Sequence, residues 1–251
     1  MPSTALATFV VADVREPLEE SGDPTHELVE RETNAMATLV ECDVTDRSDL
    51  EVAIEAAEEY GGVDVMVNNA GIWRAEEFLS VTEEEFDRML DINLEGTFFG
   101  SQLAAEHIVE NGGGSIININ SIAGLFGNGN WPSCAASKGG MTTLTPSLAH
   151  ALGGRGVRVN AIHPGGIETM IGGERQVNLA EIEVFLLMVP LERYGKPADV
   201  AGVATFLASD LTSYVTGESI VVDGGWTSWR RGRRRVSPAW QAGHMYMRSS
   251  G

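Results

Sequence analysis

The feature that most constrains this chain is a repeated alternation between short, β-branched apolar runs and longer stretches of helical pattern. The runs are Phe9-Val10-Val11-Ala12, Thr38-Leu39-Val40-Glu41, Val63-Asp64-Val65-Met66-Val67, Ser115-Ile116-Ile117-Asn118-Ile119, Val157-Arg158-Val159-Asn160-Ala161-Ile162 and Glu218-Ser219-Ile220-Val221-Val222. Six strands separated by stretches long enough for right-handed helical crossovers predict a parallel sheet covered on both faces. Helices are expected over residues 46–60, after a Thr45/Asp46 start, over 82–110, where acidic residues load the first turn, and over 132–152. The expected class is α/β, a doubly wound, Rossmann-like parallel sheet in one domain.

A chain of 251 residues can bury one substantial core. No apolar run approaches the length of a membrane span, and Met1-Pro2-Ser3-Thr4 gives no basic flank ahead of an apolar stretch, so a cytoplasmic protein with no membrane partner is expected. Two cysteines, Cys42 and Cys134, cannot form a disulfide framework and have no zinc-ligand spacing, so no metal is expected. Asp and Glu total 36 against 17 Lys and Arg, of which only Lys138 and Lys196 are lysines. Such a surface reads as halophilic adaptation, with an ordinary acidic cytosolic enzyme as the alternative, and it argues against nucleic acid as main partner.

Motifs follow the strands in order. Asp43-Val44 comes after the second, Asn68-Asn69-Ala70-Gly71 after the third, and Asn120-Ser121 after the fourth, with Ala136-Ser137-Lys138 in the next helix. Pro164-Gly165-Gly166-Ile167-Glu168-Thr169 follows the fifth strand, and Val221-Val222-Asp223-Gly224-Gly225 closes the pattern. Open α/β sheets bind ligands at these strand ends. From about residue 8 to 229 the chain resembles the short-chain dehydrogenase/reductase family, in the flavour of 3-oxoacyl-carrier-protein reductases and glucose-type or other secondary-alcohol dehydrogenases.

The resemblance implies hydride exchange between NAD and a small alcohol or ketone. Asp13 would accept hydrogen bonds from the adenosine ribose and repel a 2′-phosphate, favouring NAD over NADP; a solvated loop aspartate is its other reading. Asp43 and Val44 would flank the adenine, and an acidic strand end is the alternative. Asn69, Ala70 and Gly71 would let the backbone approach the cofactor, as against a mere turn. Pro164, Gly165, Ile167 and Thr169 would contact the nicotinamide, with His163 beside them structural. Ser121 would bond the substrate oxygen, Lys138 the nicotinamide ribose, and Asn93 a water leading from the lysine to solvent. Relatives commonly form homotetramers, and a dimer or a hetero-oligomer with a full-length relative is also open.

Three departures stand against the pattern. Cys134 occupies the position, four before Lys138, where the family has its proton-transferring tyrosine. A thiol is several ångströms shorter than a phenol, which predicts severe loss of turnover; a small buried thiol and a hydrolytic nucleophile are the competing readings. Only 12 residues precede Asp13, and the family's opening strand, glycine-rich phosphate turn and helix are not recognisable there, so a truncated chain is expected. The glycines of residues 112–114 and 153–156 precede strands and read as turns. The absent strand would be the central one, stripping ladder partners from its neighbours. Finally, residues 230–251 hold six of the 15 arginines and no acidic residue, leaving 11 basic against 36 acidic residues ahead of them. That tail is expected to lie outside the folded domain of residues 1–229 and to be disordered. Residues 170–191, apolar in Phe185-Leu186-Leu187-Met188-Val189, are expected to form a hydrophobic lid. A catalytically inactive subunit acting as an assembly partner is the second functional reading.

Overall fold

All six apolar runs become strands, because β-branched residues fit a pleated surface covered on both faces. The computed structural model describes residues 7–14, 24–169, 171 and 185–231. The strands are β1 (Phe9–Asp13), β2 (Ala37–Glu41), β3 (Val65–Asn68), β4 (Gly114–Ile119), β5 (Val157–Pro164) and β6 (Ser219–Val222). Every pairing between them is parallel. The helices are α1 (Thr25–Thr33), α2 (Arg47–Glu58), α3 (Glu83–Leu90), α4 (Gly96–Glu110), α5 (Pro132–Leu152), α6 (Pro197–Ala208) and α7 (Trp226–Arg231).

Local chemistry sets the helix ends. Asp46 caps α2 by accepting from the Ser48 N–H, and Thr82 and Glu85 form a reciprocal capping box on α3. Proline in the first turn of α5 fixes its backbone at a point where no intrahelical N–H is needed. The continuous helix expected over 82–110 is instead α3 and α4 joined through one π-helical turn, Asp91–Glu95. Asn93 in that turn is fully buried and its carbonyl accepts from Thr97 Oγ1 at 2.9 Å. Such widened turns can redirect a side chain inward, and they recur at functional sites.

The six strands do not form one sheet. Among the described residues β1 and β2 make a two-stranded sheet, and β3, β4, β5 and β6 make a second in that order. Helices α2 and α4 join them on one face through a shared core of Cys42, Leu50, Ile54, Leu103, Ala104, Ile108, Ile116 and Val159. On the opposite face of the larger sheet, α6 packs Leu207 against Ile117 and Ile162. Each such side chain contributes about 1.5–3 kcal/mol through burial. The result is a layered α/β arrangement with all strand C-termini on one edge.

No described helix is long and apolar enough to cross a membrane. Both cysteines are buried free thiols, and no group of potential metal ligands occurs among the described residues. Helix α7 runs to Arg231, past the boundary expected at 229, while the rest of the arginine-rich tail lies outside the described residues.

Candidate active site

The C-terminal ends of β3, β4 and β5 meet the N-terminal half of α5. A buried amide network fixes this edge: Asn68 Nδ2 donates to Ser101 Oγ and to Asn118 Oδ1, both at 2.9 Å, and Asn118 Nδ2 donates to Thr145 Oγ1 at 3.0 Å. Asn120 Nδ2 donates to Thr142 Oγ1 at 3.0 Å. Buried amides left unpaired would each cost about 1–3 kcal/mol, so the network specifies one register between β3, β4 and α5. Sequence reading singled out none of these side chains for a role; their signal was asparagine at the ends of otherwise apolar strands.

Ser121 follows directly. Its N–H donates to Asn120 Oδ1 at 2.9 Å, and its Oγ accepts from the Ala123 N–H at 3.0 Å. With its oxygen already accepting from the backbone, the hydroxyl keeps its proton available for donation. The Ser121 carbonyl lies 2.8 Å from His163 Nδ1, and His163 Nε2 lies 3.0 Å from Ser219 Oγ. A carbonyl only accepts, so Nδ1 carries the proton and Nε2 accepts from the serine. Burial, opposed by the Ser121 carbonyl and reinforced by the Lys138 charge, lowers the His163 pKa and keeps the imidazole neutral. The structural role expected for His163 is thus a tie between the Ser121 turn and β6.

Lys138 is 7% exposed, and its Nζ donates to the Ile119 carbonyl at 3.0 Å. Burial pushes its pKa down to about 8, with Cys134 pulling the other way. One donor of the ammonium is thereby used and two remain. Cys134, one helical turn earlier, is buried against Met89 and Ala123, with Ile72, Trp73 and Trp131 packed around. Burial raises its thiol pKa; Lys138 opposes this and Glu76 adds to it. Glu76 Oε2 accepts from the Ser133 N–H at 3.0 Å at the start of α5, a contact not foreseen from sequence.

Asn93 is fully engaged with protein groups. Its Oδ1 accepts from the Ile72 N–H at 2.8 Å, and its Nδ2 donates to the Ile72 carbonyl and to Ser137 Oγ, both at 3.1 Å. These bonds clamp the residue after Gly71 onto α5. Gly71 is small for a related reason: a Cβ there would lie 3.1 Å from Asn93 Oδ1 and 3.6 Å from Lys138 Nζ. Gly71, Asn93 and Lys138 are therefore brought together, while Asn69 and Ala70 stand exposed on the open edge.

The remaining residues ring this edge. Pro164 ends β5, and Gly165 donates its N–H to the Val222 carbonyl at 2.9 Å; a Cβ on Gly165 would lie 2.7 Å from Asp223 Cβ. Ile167 bridges to Gly195, and Thr169 is exposed. Phe185 stacks on Tyr194 at 4.5 Å and meets Trp226 edge-on at 5.4 Å, while Val189 is buried with Ile122 and Trp226. Phe185 and Val189 of the expected lid are thus packed into the body while Leu187 and Leu191 stand exposed; residue 170 and residues 172–184 lie outside the described residues.

Asp13 ends β1 and Asp43 follows β2 on the smaller sheet, both exposed. Asp43 Oδ1 accepts from the Thr45 N–H at 2.9 Å and from Thr45 Oγ1 at 2.7 Å, making an Asx turn, and Val44 packs against Gly96 at the start of α4. Burial, then the charges of Asp49, Asp43, Asp13 and Asp46, pushes the Cys42 thiol up to about 11, which locates one acidic cluster at these two strand ends.

A family model described as Enoyl-(Acyl carrier protein) reductase matches residues 5–227. The 3-oxoacyl-[acyl-carrier-protein] reductase FabG of Thermotoga maritima is 43% identical over 183 residues, covering 72% of this chain and 74% of the relative. An L-rhamnose 1-dehydrogenase (NAD(P)(+)) of Azotobacter vinelandii is 42% identical over 191 residues, 75% of each chain. Among solved structures, a short-chain type dehydrogenase/reductase from Mycobacterium marinum superposes with a TM-score of 0.76 at 31% identity, covering 87% of this chain and 85% of that one.

Proposed function

Because the chain belongs to the short-chain dehydrogenase/reductase family, we propose that its strand-end site serves a nicotinamide-dependent oxidoreductase acting on a small secondary alcohol or ketone. The observation that carries this reading is the convergence of Ser121, Cys134 and Lys138 beside the open Asn69-Ala70-Gly71 edge. The exposed residues Asn69, Ala70 and Thr169, with Pro164, Gly165 and Ile167 beside them, leave a cofactor open access along the strand ends, and Asp13, Asp43 and Val44 offer polar and apolar groups further along. NAD(P), when bound, supplies or accepts the hydride. Asp13 favours NAD over NADP, since a second negative charge beside it would be repelled.

The chain's own groups do the rest. Ser121 donates a hydrogen bond from its hydroxyl to the substrate oxygen. Lys138 places its two remaining donors toward ribose hydroxyls and holds positive charge beside Cys134. Cys134, a thiol kept neutral by burial, stands where a proton must be handed to or taken from the substrate oxygen, and its short reach limits turnover. Asn93 and His163 position the Gly71 and Ser121 turns. The protein works in the cytoplasm as a homo-oligomer, with an acidic surface adapted to salt. An inactive assembly subunit is the second reading, favoured by Cys134 itself.

The test is NADH oxidation with a 3-oxoacyl thioester, simple ketones and, in the reverse direction, aldoses. Slow turnover that disappears in Ser121→Ala supports the proposal; turnover unaffected by that change, or none with any substrate even after Cys134→Tyr, overturns it.

A further inference from the structure

The turn that leads into α5 is built around Glu76. Trp131, just ahead of the first helical residue, has no side-chain oxygen to cap the helix, and the Ser133 N–H is served instead by Glu76 Oε2 at 3.0 Å. The Glu76 main chain is held as well, its N–H donating to the Asn130 carbonyl at 2.8 Å. Bonds to residues 130 and 133 thus bracket Trp131, and the carboxyl and the indole belong to one turn. Trp73 and Trp131 pack against the cluster of Cys134, Met89 and Ala123, their ring centroids 6.2 Å apart and their planes tilted by 60°. Burial raises the Cys134 thiol pKa, Lys138 opposes it and the Glu76 charge adds to it, which sets the carboxyl close to the thiol.

Each of these two side chains keeps one polar atom idle. Glu76 Oε1 and Trp131 Nε1 are buried and have no hydrogen-bond partner among the described residues. The first can only accept and the second can only donate. A buried polar group left unpaired is costly, a carboxylate oxygen most of all, and two such atoms beside the reacting groups mark a place for a ligand that enters and leaves. Both side chains are half-buried overall, so a small rotation of either opens the shielded atoms to that ligand.

We infer that Glu76 and Trp131 form a hydroxyl-binding subsite, and that the substrate carries a further hydroxyl beside its reacting carbon, as a diol, a polyol or a sugar does. The subsite rests on the oxidoreductase reading above, with the reacting oxygen at Ser121 and Cys134. A hydroxyl donates to Oε1 and accepts from Nε1, alone or with a neighbouring hydroxyl, and so pairs both idle atoms. A thioester carbonyl only accepts and leaves the carboxylate oxygen unpaired; an ammonium only donates and leaves the indole unpaired. A hydrocarbon chain pairs neither. Because Glu76 is bonded to Ser133, the neighbour of Cys134, the extra hydroxyl lies close to the reacting oxygen. The rings of Trp73 and Trp131 offer apolar surface to the carbon skeleton that carries these hydroxyls.

Three alcohols that differ at one carbon test this: propan-2-ol, propane-1,2-diol and 1-aminopropan-2-ol. Each would be oxidised by NAD at its second carbon, which gives a hydride to the cofactor while its hydroxyl loses a proton, leaving the ketone. The diol should exceed propan-2-ol in kcat/KM by at least ~10²-fold, since a site built to bond a hydroxyl rejects the analogue that lacks it. Trp131→Phe removes the N–H and keeps an aromatic ring, and Glu76→Gln keeps an oxygen for the Ser133 N–H while altering the idle acceptor. Each should cut the ratio of diol to propan-2-ol at least ~10-fold, whereas a merely structural role would lower both substrates alike. Equal kcat/KM for the two, a ratio that survives both substitutions, or a preference for the amine overturns the inference; the first would mean that ordered water pairs the two atoms. Ligand-observed NMR with the same compounds needs no turnover and so separates this from failure of the oxidoreductase reading. If none is oxidised even after Cys134→Tyr, diol binding that weakens at least ~10-fold in Trp131→Phe still supports the subsite, and absence of diol binding overturns it.

Discussion

Cys134 and Lys138 stand one turn apart on α5, both buried, and burial moves them in opposite directions: the thiol is held neutral and the ammonium is brought within reach of deprotonation. Lys138 does lower the thiol pKa, yet desolvation outweighs that attraction. Burial therefore works against a thiolate nucleophile at this position.

Restoring a phenol at this position is the sharpest test of the site. Cys134→Tyr should raise turnover on a ketone substrate by about 10²-fold or more, since a positioned acid contributes on that scale. Steady-state kinetics on a folded variant decide it: unchanged kcat would mean that position 134 is not where the proton passes.

The lysine gives a pH dependence with a definite sign. Its pKa falls from 10.5 to about 8 on folding, so between those values the unfolded chain binds the extra proton and stability rises with pH. The cost of burying the charge is present in full below pH 8. Lys138→Met should be the more stable protein there, with the difference shrinking by on the order of 3 kcal/mol toward pH 10.5. Cys42, raised to about 11, works in the opposite direction above pH 9.0 but is common to both proteins. Urea unfolding across this range measures the difference; a gap independent of pH would contradict the burial assigned to Lys138.

Asn93→Ala should cost about 2–4 kcal/mol, because it strands the N–H and carbonyl of Ile72 and removes the donor to Ser137 Oγ. Chemical denaturation measures the loss. A change below ~1 kcal/mol would mean that the π turn and the Ile72 clamp are dispensable.

Asp13→Ser should narrow the preference for NAD over NADP by about tenfold, corresponding to ~1.4 kcal/mol of removed repulsion. Binding constants for both cofactors give the ratio. An unchanged ratio would return Asp13 to its reading as a solvated strand-end carboxylate.

The fold was legible where periodicity carried it. Val159 and Ile162 announce a buried strand because both faces are apolar, and Pro132 announces the start of α5 through its fixed backbone. The π turn at Asp91–Glu95 was not legible, since its cause is tertiary: Asn93 turning inward to the Ile72 main chain. For the same reason motif spacing found Ser121 and Lys138 but not the His163 tie or the Glu76 contact at Ser133, which depend on elements distant in sequence. Gly71 reads from sequence as a residue that must be small; that it makes room for Asn93 and Lys138 follows only from the fold. The separation into two sheets follows from hydrogen-bond partners, which an apolar run of residues does not reveal.

The central claim is that the Lys138 edge holds a nicotinamide cofactor, and a fluorescence titration with NADH tests it most directly, comparing the protein with Lys138→Met in strong KCl. Saturable binding that weakens at least ~10-fold in the variant is the predicted result, since two ammonium donors and their charge are lost. Equal binding by both folded proteins, or none by either, would contradict it.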